Sequence, residues 1–165
     1  MAGMKDIRTL GRALMCAGAV AWSAEAQTQS AQVRLDSRSG QFTIYGPQGG
    51  GQEEPANSEY VNLTAASLAL SCARIRRIFL TELKASDRWG HKIFVVINPR
   101  LARDADIVVA ANQFLDGWHY RVQVPSVIAK EKLTRCVVRT LLQEMANRSS
   151  RGSPAPVPLW LTEGM

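Results

Sequence analysis

Two carboxamides and two carboxylates near the C-terminus stand at the spacing of a catalytic metal site. Gln143-Glu144-Met-Ala-Asn147 lies in a stretch where Val137, Leu141 and Met145 recur every four positions, the mark of an amphipathic helix. Residues four apart on a helix project from the same side, so two imidazoles at such positions can hold one Zn²⁺. A glutamate beside the first would polarise the metal-bound water, and a later acid such as Glu163, in Trp160-Leu-Thr-Glu-Gly164, would close the coordination shell. In this chain the two imidazole positions are Gln143 and Asn147. Amide oxygens are hard, weakly basic donors that suit Ca²⁺ or Mg²⁺ among several other oxygens, whereas Zn²⁺ prefers imidazole, thiolate and carboxylate. The donor set therefore predicts no useful zinc binding.

These two segments resemble those of peptidase MA-like (gluzincin-type) metallopeptidases, which carry His-Glu-x-x-His on a helix and a later Trp-Leu-Ser/Thr-Glu-Gly. The resemblance spans roughly residues 41–165, and only these last two motifs are specific. It implies zinc as the family's cofactor, with its ligands lost here and none expected. Gln143, Glu144, Asn147 and Glu163 become the positions of a degenerate catalytic site. The implied function is an exported, catalytically inactive metallopeptidase-like domain that acts as a scaffold or peptide-binding module. Two alternatives stay open: an active metal-dependent peptidase using Glu144 and Glu163 with ligands from missing sequence or a partner, and a structural cell-envelope protein. In the family a helical subdomain follows the last acid, so the resemblance also implies a domain, residues 41–165, that is incomplete at its C-terminus.

The elements that must position these residues read as α+β: a mixed sheet with a hairpin, packed against two long helices, like the N-terminal half of a gluzincin-like catalytic domain. Gln41-Phe-Thr-Ile-Tyr45 alternates as a half-buried strand and stops at Gly46-Pro47, after which Gly49-Gly-Gly51 to Pro55 reads as a loop. A helix runs from an N-cap at Asn62 or Thr64 to about Ala85, with Leu68, Cys72, Ile75 and Phe79 as its apolar stripe. His91 to Ile97 is a strand whose unbroken apolar run predicts burial on both faces. Residues 107–115 and 118–124 flank Asp116-Gly117, a strong hairpin signal, and Pro125 ends the second arm so that Ser126 opens the final helix. Tyr120, Val122 and Val124 alternate with Arg121 and Gln123. The resemblance implies that this arm borders the cleft and offers its backbone to an extended peptide or protein partner.

The rest of the chain sets limits. Residues 1–26 have a basic start, a short apolar run from Ala13 to Trp22 and small residues at Ala24-Glu-Ala26, which predicts a secretory signal peptide. Export to the periplasm, cell envelope or extracellular space follows, with no stable membrane anchor after cleavage. Residues 27–40, polar and rich in Ser and Gln, predict a flexible lead-in. Removing 26 of 165 residues leaves 139, enough for one core. The leader carries three basic and two acidic residues, so the formal charge falls from +6 to +5. That excess is scattered and argues against a nucleic-acid partner, which would call for a clustered basic face. Cys72 and Cys136 fall on helical apolar stripes, and the sequence leaves open whether they form a disulfide. His91 and His119 have no partner at metal-ligand spacing.

Overall fold

The computed structural model describes residues 32–47, 59–150, 152–158 and 160–161. The expected signal peptide, the Gly49–Gly51 loop and Glu163 lie outside the described residues. Among those residues the elements are strands β1 (Gln32–Asp36), β2 (Phe42–Pro47) and β3 (Tyr60–Asn62), helix α1 (Ala65–Glu82), strands β4 (Ile93–Asn98), β5 (Val109–Phe114), β6 (Gly117–Pro125) and β7 (Val127–Ala129), and helix α2 (Lys130–Asn147). The fold is α+β, with a five-stranded mixed sheet ordered β1-β2-β4-β6-β5. Its centre is parallel, with Ile44 beside Val95 and Val95 beside Val122, and each outer strand is antiparallel to its neighbour. No described helix is long and apolar enough to cross a membrane.

Both helices lie on one face of the sheet, α1 over β1 and β2, α2 over β6, and they touch each other. That face supplies the core: Phe42, Ile44, Ile93, Val95, Ile97, Trp118, Tyr120, Val122 and Val124 from the strands meet Leu68, Cys72, Phe79, Leu133, Val137 and Leu141 from the helices. Because both described helices cover the same face, β4 alternates instead of burying both faces as its composition predicts. Ile93, Val95 and Ile97 are buried while Phe94, Val96 and Asn98 are half-buried.

Local chemistry explains the helix ends. Thr64 Oγ1 accepts from the Ser67 N–H at 3.1 Å while Ser67 Oγ accepts from the Thr64 N–H at 2.9 Å, a reciprocal cap that satisfies two free donors of the first turn. At the other end Lys84 takes φ 49°, and the Lys84 and Ala85 N–H groups return to the carbonyls of Thr81 and Leu80. This is a Schellman turn closed by lysine where glycine is usual. The final helix starts at Lys130 and not at Ser126, since residues 127–129 extend to pair with β3 in a separate two-stranded ribbon. That ribbon ties together the segments leading into both helices.

Two further expectations are corrected. The segment expected as a flexible lead-in supplies, in its described part, edge strand β1, which pairs along its whole length with β2. The arm carrying Tyr120, Val122 and Val124 is not an edge: β4 pairs with one side of β6 and β5 folds back along the other. Its backbone is thus engaged within the sheet, and those three side chains are buried in the core.

The hairpin itself is as expected, with one refinement. Phe114 pairs directly with Gly117 across the two-residue turn Leu115-Asp116, and Gly117 takes φ 120°, a conformation that favours glycine. A Cβ on Gly117 would lie 2.6 Å from His91 Cε1. Gly117→Ala is therefore expected to cost about 2 kcal/mol, through strained backbone and displacement of the His91 ring. Urea unfolding of the variant checks this, and an unchanged midpoint would refute it.

Candidate functional site

The end of α2 brings three of the four expected site residues onto one stretch of helix but turns them to two separate tasks. Gln143 Nε2 donates to the Ala155 carbonyl at 2.7 Å, and Asn147 Oδ1 accepts from the Ala155 N–H at 2.7 Å. One helical turn apart, the two carboxamides therefore grip both polar groups of a single residue in Ser153-Pro-Ala-Pro-Val-Pro158. Since a backbone N–H can only donate, Ala155 fixes which end of the Asn147 amide is oxygen. The remaining Asn147 Nδ2 donates to the Tyr120 hydroxyl at 3.1 Å, with Asn147 only 1% exposed. Burial pushes the Tyr120 phenol up to about 12, with Asn147 opposing. Nearby, Trp118 Nε1 donates to the Ser150 carbonyl and the Gly152 N–H donates to Gln113 Oε1, so the chain leaving α2 is held against β5 and β6.

Glu144 points elsewhere. It is fully buried, and both its oxygens accept from the Arg148 guanidinium, Oε2 at 3.1 Å from Nε and 2.9 Å from Nη2. Burial raises its pKa, while the hydrogen bonds and charge of Arg148, then His91 and Arg76, pull it back down. Arg148 stacks 4.6 Å from the centre of the Trp89 ring, and Arg76 lies 5.5 Å from the same ring. Arg76 in turn donates to Gln41 Oε1 at 2.6 Å and pairs with Asp87. Gln41 Nε2 and Trp89 Nε1 are buried donors with no partner among the described residues.

This arrangement does not fit a zinc ion. Asn147 has committed both ends of its amide, and both oxygens of the fully buried Glu144 accept from the Arg148 guanidinium. A general base must reach the proton it removes, and a carboxylate sealed in a bidentate ion pair does not. The cysteines add no nucleophile: Cys72 and Cys136 are free and buried, each pushed up to about 12 chiefly by desolvation.

A second feature lies on the face of the sheet that the helices leave bare. There Tyr45, Phe94, Val96, Phe114, His119 and Arg121 line a groove of about 420 Å³, with Gln32 and Asn112 at its ends. His119 Nε2 is 3.0 Å from Asp116 Oδ2, and its ring lies 4.8 Å from Phe114 and 5.8 Å from Phe94.

Sequence spacing identified Gln143, Glu144 and Asn147 as neighbours but missed Arg148, His91 and Arg76, whose charges act on Glu144, and Trp89, which stacks on Arg148. One signal was available: Glu144 and Arg148 stand four apart on a helix, a spacing that favours ion pairs. The approach of His91 and Trp89 depends on how the segment before β4 packs and leaves no local trace. Comparison with known protein families, curated proteins and solved structures finds no match.

Proposed function

We propose that this chain is an exported, non-catalytic domain of metallopeptidase-like design, acting as a scaffold or peptide-binding module. One observation carries the proposal: the pair of side chains at the spacing of metal ligands is occupied as a clamp on the Ala155 backbone. Carboxamides are well suited to that work, because each offers both a donor and an acceptor and so can engage a peptide group that an imidazole pair binding a cation could not. The enclosure of Glu144 by Arg148 supports the same view, since an active peptidase would need that carboxylate free. Export rests on the leader-like residues 1–26.

The purified protein, dialysed against excess Zn²⁺ and then metal-free buffer, is expected to retain far less than one equivalent by elemental analysis. It is also expected to leave unfolded casein intact. Stoichiometric zinc together with casein cleavage abolished by Glu144→Gln would overturn the proposal.

A further inference from the structure

We propose that the bare face of the five-stranded sheet binds an acidic peptide segment, one that sets an Asp or Glu carboxylate beside a Phe or Leu side chain. The inference rests on the reading of this domain as a binding module, but it uses none of the α2 residues. Its location follows from one-sided packing. With α1 and α2 both on the core face, no described helix covers the outward side chains of β2, β4, β6 and β5, and Tyr45, Phe94 and Val96 are half-buried there. Phe114 and Leu115 are exposed at the hairpin rim. Apolar surface of this kind rimmed by polar groups marks interaction sites more often than chance exposure does.

Charge selects the occupant. Arg121 lies among the aromatic walls of the groove and has neither an ion-pair nor a hydrogen-bond partner among the described residues. The acids that could have neutralised it are committed: Asp116 to His119, and Asp36 to Thr43 and Arg34. The groove thus holds a planar cation among aromatic side chains, unpaired among the described residues. That combination favours a carboxylate, which guanidinium binds through two parallel hydrogen bonds, adjoined by an apolar group. The formal charge of +5 left once residues 1–26 are removed adds a weak long-range attraction of the same sign.

Shape selects a peptide over a small acid. The lining residues run from Gln32 on β1 through Tyr45, Phe94 and Arg121 to Asn112 on β5, across all five strands. Strands lie about 4.8 Å apart, so the groove is roughly 19 Å long. An extended chain of about six residues fills that length. The amides of Gln32 and Asn112 at its two ends can each serve a peptide N–H or C=O.

The test uses the mature chain and a fluorescein-labelled hexapeptide of alternating glutamate and phenylalanine, followed by fluorescence polarisation. Saturable binding is expected, weakened at least about tenfold by Arg121→Glu and equally by replacing the peptide's glutamates with glutamine. Arg121 is exposed and on no core contact, so the variant should fold, and a far-UV spectrum and an unchanged melting temperature confirm it. Phe94→Ser should weaken binding independently by removing the apolar wall. Absence of saturable binding, or equal binding by Arg121→Glu, overturns the proposal. So does competition by phenylacetate at the affinity of the peptide, which would make a small aromatic acid the occupant. A protein that proved to hold zinc and cleave casein, yet still released the hexapeptide on Arg121→Glu, would refute the inactive-peptidase reading and leave this site standing.

Discussion

Arg148→Ala is expected to lower the stability of the protein by about 3 kcal/mol, because it abandons a carboxylate that has no other route to solvent. Glu144 has no exposed side-chain surface, whereas the Arg148 side chain keeps 32% of its surface in water. The ion pair itself therefore contributes modestly, and most of the loss is the desolvation penalty of an orphaned charge. Some of the loss also comes from Arg148 leaving the Trp89 ring. Two consequences separate this account from simple lost packing.

The first consequence is a pH dependence. The Glu144 pKa is raised by burial, so there is a window just above the ordinary carboxylate range in which the folded protein holds a proton that the unfolded chain has released. In that window stability falls as pH rises through the folded value, and it is fully restored below the unfolded one. Removing Arg148 takes away the hydrogen bonds and charge that hold the pKa down, so the window widens upward. The variant should recover part of its deficit at about pH 5 relative to pH 7.5, as read from urea midpoints. The second consequence is compensation: Glu144→Met combined with Arg148→Met should return to within about 1 kcal/mol of the parent. An Arg148→Ala deficit identical at both pH values, or a double variant worse than the single, would contradict this account.

Asn147→Ala should cost about 3 kcal/mol and free the segment around Ala155. The substitution strands the Tyr120 hydroxyl and the Ala155 N–H together, each worth about 1–3 kcal/mol when left unpaired in a buried setting. It also leaves a small void beside α2. Gln143→Ala removes one bond from a half-buried side chain and should cost only about 1 kcal/mol. Because both side chains grip the same residue, the two losses should be non-additive. Amide hydrogen exchange at Ala155 gives the direct readout. Its protection should vanish in Asn147→Ala while protection in β4 follows only the global loss. A protected Ala155 amide in that variant would show that the clamp does not hold the segment.

How far these features were legible depends on the range over which their causes act. Helix α1 could be read because its cap at Thr64 and its stripe at Leu68, Cys72 and Phe79 are local. The hairpin was announced by Asp116-Gly117 for the same reason. Strands β3 and β7 were missed since three residues carry no period, and their extended form comes from pairing with each other across 65 or more residues of chain. The placement of β6 was mistaken because alternation along a strand says which face is wet but nothing about which neighbours flank it. At the site, spacing placed Gln143, Glu144 and Asn147 correctly on the helix. It could not show that Ala155 and Tyr120 complete the hydrogen bonds of Asn147, or that Glu144 turns toward Arg148 and away from the other two.

The strand order also dictates a sequence of assembly. The β5–β6 turn closes over two residues, β4 must then find β6 across roughly 27, and β2 must find β4 across roughly 51 with all of α1 between them. Lengthening the closure from the second step to the third adds only about 0.6 kcal/mol of chain entropy, but each parallel pairing yields nothing until its loop has closed. Folding should therefore proceed outward from the tip of the hairpin, with β1 and β2 the last to dock. Until that docking is complete, the aliphatic edge of β4 stands open to other copies of the unfolded chain, which makes the interval before it the time of greatest aggregation hazard.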